Sequence, residues 1–302
     1  MPTLRSALPL ALALLAGGPA AGAQAAERPA QLYVSLGDSY AVGYQPISGG
    51  GVGGPGRATR KGYADQLLKT ARGRGYRYRL VNFGCGGETT TSILERKTAC
   101  PAPAVDGPRY TGRTQVAAAT RFLRRNRGKV GLITVSIGGN DVTACASAAD
   151  PVACVGEATK RIERNVAALG RRLRAAAGRD VRIVGLTYPD VILGLFTTGQ
   201  SRDQDLARQS VVAFEALINP ALKKAYATVR GRFVDVTRAT DAYVPFEQTT
   251  TLAPYGTIPV AVARACELSF YCSVRDIHLR TPGYRLMAEL IAKSLPRRRQ
   301  GR

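Results

Sequence analysis

Short apolar runs alternate with amphipathic stretches along most of the chain. Residues 31–36 form an apolar, β-rich run that stops at Gly37, which reads as a strand leading into a turn. Residues 63–70 have helical spacing. A second strand is predicted over 78–83, a helix over 114–125, and a third strand over 130–137. That third run is almost continuously apolar, as a strand covered on both faces should be. Residues 150–177 place Ile162, Val166, Leu169 and Leu173 at helical spacing, and a fourth strand follows over 181–186. A long helix over 203–229, with an interruption at Pro220, precedes a fifth strand over 232–236. The last helix is predicted over 281–295, with Thr281 as N-cap and Pro282 as its first residue. Strands that alternate with helices predict an α/β domain built on a five-stranded parallel sheet.

The first 25 residues do not fit that domain. Arg5, a short apolar run and the small-residue site Ala23-Gln24-Ala25 give the pattern of a cleaved secretory signal. The run is too short for a span, and Gly17, Gly18 and Pro19 break it. The expected organisation is therefore a signal peptide over 1–25 and one domain over 26–302, secreted. Export changes the reading of the six cysteines, an even number in an oxidising compartment. Their short gaps suggest neighbour pairing: Cys85 with Cys100, Cys145 with Cys154, Cys266 with Cys272. There is no C-x-x-C and only one histidine, so no metal site is expected.

The net charge is +22, and removing the signal takes away Arg5 alone, leaving +21. Such a surface attracts anionic partners. Arginine is spread along the chain rather than clustered, so nucleic acid is not an expected partner. Arg297, Arg298, Arg299 and Arg302 form one local basic cluster, which reads as a frayed end.

Three polar, glycine-rich turns follow the first three strands: GDSY at 37–40, GCGGET at 84–89 and GGND at 138–141. Sites in parallel sheets form at such strand ends. Ser39 in the first turn is a candidate nucleophile, and the base it needs has one candidate, His278. The second turn offers the Gly87 N–H, and the third the Asn140 side-chain amide, as donors to an oxyanion.

In this order, these blocks resemble the SGNH (GDSL-like) hydrolase superfamily. GDSY matches its nucleophile block, NFGCGGETT (82–90) its second, GGND its third and DIHLRTPGY (276–284) its fifth. The resemblance implies a three-layer α/β/α sandwich, flavodoxin-like, with serine esterase activity and no cofactor. It is similar to secreted actinobacterial-type esterases and lipases with disulfides. The implied substrates are carboxylic esters of lipids or small acyl esters, hydrolysed through an acyl-enzyme; carbohydrate acetylesterase and phospholipase are the alternatives. An ester substrate, with a lipid or anionic surface, is the expected partner of a monomer. The final block departs from the family's D-x-x-H: position 275 is Arg, and Asp276 lies two before the histidine. Either the Asp276 carboxylate or the Arg275 carbonyl is then left to orient His278. The run 188–194 also looks like such sequences, without an assigned role. The long segment 241–273 is expected either to wall an acyl pocket, through Val244, Phe246, Leu252, Ile258, Val260 and Phe270, or to be a packed surface loop stapled by Cys266 and Cys272.

Overall fold

A computed structural model describes residues 29–47 and 54–298. The proposed signal, 1–25, lies outside them, as do Arg299 and Arg302. Five parallel strands form the central sheet: β1 (Gln31–Gly37), β2 (Tyr78–Asn82), β3 (Val130–Ser136), β4 (Arg182–Leu186) and β5 (Arg232–Val234). Their order is β2-β1-β3-β4-β5. The chain winds outward in one direction from β1 and then in the other, so the C-terminal ends of β1 and β3 flank a switch point. Every residue of β3 is buried, which accounts for its unbroken apolar run.

The described residues include seven longer helices: α1 (Tyr63–Arg72), α2 (Gln115–Arg125), α3 (Pro151–Ala177), α4 (Ser201–Val212), α5 (Asn219–Ala227), α6 (Val260–Leu268) and α7 (Thr281–Ser294). α1 packs on α7, while α3 packs on α2 and α5, giving an α/β/α sandwich. Two starts are set by local chemistry: Thr114 Oγ1 accepts the Ala117 N–H, and the Asp150 carboxylate accepts that of Ala153. No described helix is long and apolar enough to cross a membrane.

Several expectations change. Thr281 is not the cap of α7; that position falls on Arg280, whose side chain does not cap. The reason is tertiary: the Arg280 N–H donates to the Leu268 carbonyl and its guanidinium to Ser269 O, which hold it extended one residue earlier. The predicted helix over 203–229 does not break at Pro220. α4 runs into a wider, π-type turn (Ala213–Ile218) and on into α5, with Pro220 in its first turn. The wider turn relieves the clash that a proline makes with the preceding turn's carbonyl. Arg298 is not frayed: its guanidinium lies 4.3 Å from the centre of the Tyr76 ring, and Nη2 donates to Gln31 Oε1 at 2.7 Å. The disulfides join 85–100, 145–154 and 266–272.

Candidate active site

β1 ends on a position only glycine can occupy. Gly37 has φ 131°, and a Cβ there would lie 1.9 Å from the Ser136 carbonyl oxygen. The Gln115 amide clamps this peptide, accepting from Gly37 N at 2.8 Å and donating to Gly37 O at 3.0 Å. Asp38 and Ser39 follow, both buried. The Asp38 carboxylate accepts the Tyr40 N–H at 3.0 Å and the Tyr188 hydroxyl at 2.5 Å. Burial, opposed by these bonds, pushes its carboxyl up to about 7.

The second turn is tied to the first. Asn82 Nδ2 donates to the Ala41 carbonyl at 2.7 Å, and the Cys85 N–H donates to Gly37 O at 3.0 Å. Gly87 is exposed with φ 77° and open space around it. The third turn is tied to the second: buried Asp141 accepts both the N–H and the hydroxyl of Thr90, at 2.8 and 2.6 Å. Asn140 Nδ2 donates to the Glu88 carbonyl at 2.8 Å. One amide N–H is thereby used and the second stays available. Among the described residues, the N–H groups of Ser39 and Gly87 make no hydrogen bond.

His278 arrives from the far end of the chain. Tyr40 Oη donates to the Ile277 carbonyl at 2.6 Å, and Gln45 Nε2 donates to the Leu279 carbonyl at 3.0 Å. These two bonds dock the histidine loop on the segment after Ser39. The imidazole packs against the Tyr44 ring, centres 4.6 Å apart. Its Nδ1 is 2.7 Å from Asp276 Oδ1, which also accepts the His278 N–H at 2.8 Å. Burial alone would raise the Asp276 carboxyl, but the bonds and charge of His278 outweigh it and hold it below its ordinary value. Arg275 sits in the left-handed region, φ 55°, and its carbonyl takes no hydrogen bond from His278. The Ser39 hydroxyl makes no hydrogen bond to His278 in this structure.

A cavity of about 280 Å³ starts at Ser39, Gly139 and Asn140 and runs between α3, the segment after β4, and α4 with its π-type turn. Its walls include Val155, Val191, Leu206, Phe214, Leu217 and Ile218. None of the six residues expected from 241–273 lines it. Phe246, Leu252 and Ile258 instead join a separate apolar cluster around Leu193, Ala261 and Val262. The segment is instead packed and stapled by Cys266–Cys272, as the second alternative had it, with a hairpin (Thr249–Leu252 with Gly256–Pro259) and α6 inside it. No group of His, Cys, Asp or Glu that could hold a metal occurs among the described residues.

The sequence profile of GDSL-like lipases and acylhydrolases matches residues 33–291. The chain belongs to this family. It is a carboxylic ester hydrolase by that membership. Its fold resembles the extracellular lipase of Streptomyces rimosus, with a TM-score of 0.52 at 16% identity, covering 88% of this chain and 100% of that one. A phospholipase A1 from Streptomyces albidoflavus gives 0.43 at 19% identity, covering 70% and 82%. An acetylxylan esterase from Geobacillus stearothermophilus gives 0.48 at 15% identity, covering 87% and 93%. No curated protein matches the chain in sequence.

Four residues at this site carried no assigned role in the sequence. Gln115, Asp38, Asp141 and Tyr188 hold the turns that carry Ser39 and Asn140. Asp38 and Asp141 lie inside quoted blocks, so their position was a usable signal. Tyr188 opens the run 188–194, which was noted without a role, while Gln115 lies on α2 and only the folded chain brings it in.

Proposed function

We propose that this family member is an exported hydrolase of esters with a medium or long acyl chain, acting through an acyl-enzyme on Ser39. Ser39 Oγ attacks the ester carbonyl, and its proton passes to His278 Nε2. Asp276 fixes the tautomer through Nδ1 and stabilises the imidazolium. The free N–H groups of Ser39 and Gly87, with the spare amide N–H of Asn140, take the oxyanion. The proton then goes to the leaving alcohol, and water repeats the sequence to release the acid. In proteins without substrate the serine–histidine contact is often open and closes in the complex.

The observation that carries the substrate class is the cavity. It begins at the proposed nucleophile and its walls are apolar side chains. Its lining runs from Ser39 through Val155 and Leu206 to Phe214 and Ile218, more apolar wall than a two-carbon acyl group can touch. An acetyl group would leave most of it empty. The signal pattern over 1–25 and the three disulfides support export. The test is an ester series from acetyl to palmitoyl, with phospholipids beside it, on wild type and Ser39→Ala. Octanoyl to decanoyl esters should give the highest kcat/KM, with Ser39→Ala inactive on all. A maximum at acetyl would return the reading to a carbohydrate-type acetylesterase, and activity in Ser39→Ala would remove the nucleophile.

A further inference from the structure

The run Tyr188-Pro189-Asp190 after β4 carries a buried carboxylate that the acyl-transfer chemistry does not use. Asp190 is 1% exposed and has no cation beside it among the described residues. Such burial is unfavourable unless the group is hydrogen-bonded. Its Oδ1 accepts the Ile192 N–H at 3.2 Å and starts a 3₁₀ segment (Val191–Thr198). Its Oδ2 accepts the Ser210 hydroxyl, on α4, at 2.7 Å.

That second bond spans the cavity's two outer walls. Val191, Ile192 and Leu195 line one side, and Leu206, Gln209 and Ser210 the other. Of the 12 residues of α4 only Ala207 is fully buried, and the helix leans chiefly on the 3₁₀ segment that Asp190 starts. Much of its inner side faces the cavity rather than packed core. Its Arg208 lies over the Phe246 ring at 4.4 Å. The Ser210 bond to Asp190 is the one side-chain hydrogen bond by which α4 reaches another element among the described residues. The π-type turn that follows α4 also lines the cavity, so the wall is continuous into a segment of less regular helix.

We propose that Asp190 is a specificity-determining residue, which sets the acyl-chain length the cavity accepts by pinning α4 through Ser210. It positions the wall and touches no reacting atom. The inference rests on the acyl-cavity reading above. Ser210 can serve as donor to a carboxylate or as acceptor from an amide or acid, so the tie tolerates a conservative change.

The measurement is the ratio of kcat/KM for p-nitrophenyl octanoate to that for the acetate, a ratio that a change in folded fraction does not move. Ser210→Ala should lower it about tenfold, as if roughly two methylenes lost contact with the wall. Asp190→Asn should keep it within about twofold of wild type, because its amide can donate to Ser210 Oγ while Oδ1 still accepts from Ile192. If wild type prefers octanoate and Ser210→Ala keeps the wild-type ratio, the tie is overturned and the acyl cavity stands. If Asp190→Asn falls as far as Ser210→Ala, the tie is overturned likewise. A wild type with no preference for octanoate overturns both readings.

Discussion

Replacing Asp276 by asparagine separates charge from geometry at the histidine. The carboxylate oxygen that faces Nδ1 at 2.7 Å also accepts the His278 N–H at 2.8 Å. An asparagine side-chain oxygen can accept both, so the loop and tautomer should survive. What disappears is the negative charge beside the imidazolium that forms during attack. The two side chains are only 13% and 9% exposed, which limits screening by water. Unit charges about 4 Å apart at an effective dielectric constant near 20 interact by about 4 kcal/mol. Lost from the transition state, that is about a thousandfold in kcat. Serine proteases lose about 10⁴-fold for the matching change, where the tautomer is also wrong. The assay is kcat on an octanoyl ester across pH 6 to 9, with near-UV circular dichroism to show that the variant is folded. A folded Asp276→Asn within tenfold of wild type would refute the argument. The orienting role would then pass to the Arg275 carbonyl, leaving Ser39 and His278 as a dyad.

Three further outcomes follow from the same geometry. A fluorophosphonate probe should label Ser39 in wild type and nothing in Ser39→Ala; label on another serine would move the nucleophile. Asn140→Ala should lower kcat by about 10² to 10³, the loss of one oxyanion donor, and a change confined to KM would contradict that role. Burial raises the Asp38 and Asp190 carboxyls to about 7, above the roughly 3.9 of an unfolded chain, so the folded state holds more protons between those values. Their contribution to stability is full below about pH 4 and is lost as pH rises through 7, while Asp276, held low, loses its own only below about pH 4. Tm should therefore rise as pH is lowered from 8 to 5, and a Tm that falls over that range would contradict the buried, uncharged forms.

The sheet was legible in the sequence, because each strand announces itself locally. An unbroken apolar run such as 130–137 has to be covered on both faces, and that requires helices between strands. The sequence also marked the three glycine-rich turns that follow β1, β2 and β3, where Gly37, Gly87 and Gly138 take positive φ. The neighbour pairing of cysteines was legible for a similar reason: short gaps favour short loops.

Tertiary structure alone decided how those turns are held and what they face. The Gln115 clamp on Gly37, the Thr90–Asp141 bonds and the Tyr188 hydroxyl on Asp38 join residues 51 to 150 positions apart. No local periodicity encodes such pairs. Whether 241–273 walls the cavity or packs as a stapled surface segment was left open for the same reason, and the structure shows the second. The segment 241–273 and the pair formed by the stretch after β4 and α4 are both apolar enough to wall a pocket. Which of them lies over Ser39 depends on where β4 ends in the sheet, and β4 sits directly beside β3, on whose turn Asn140 rides. The partner of His278 was decided in the same way: an aspartate two residues upstream reaches Nδ1 because Arg275, held at a left-handed φ, turns the chain just before it.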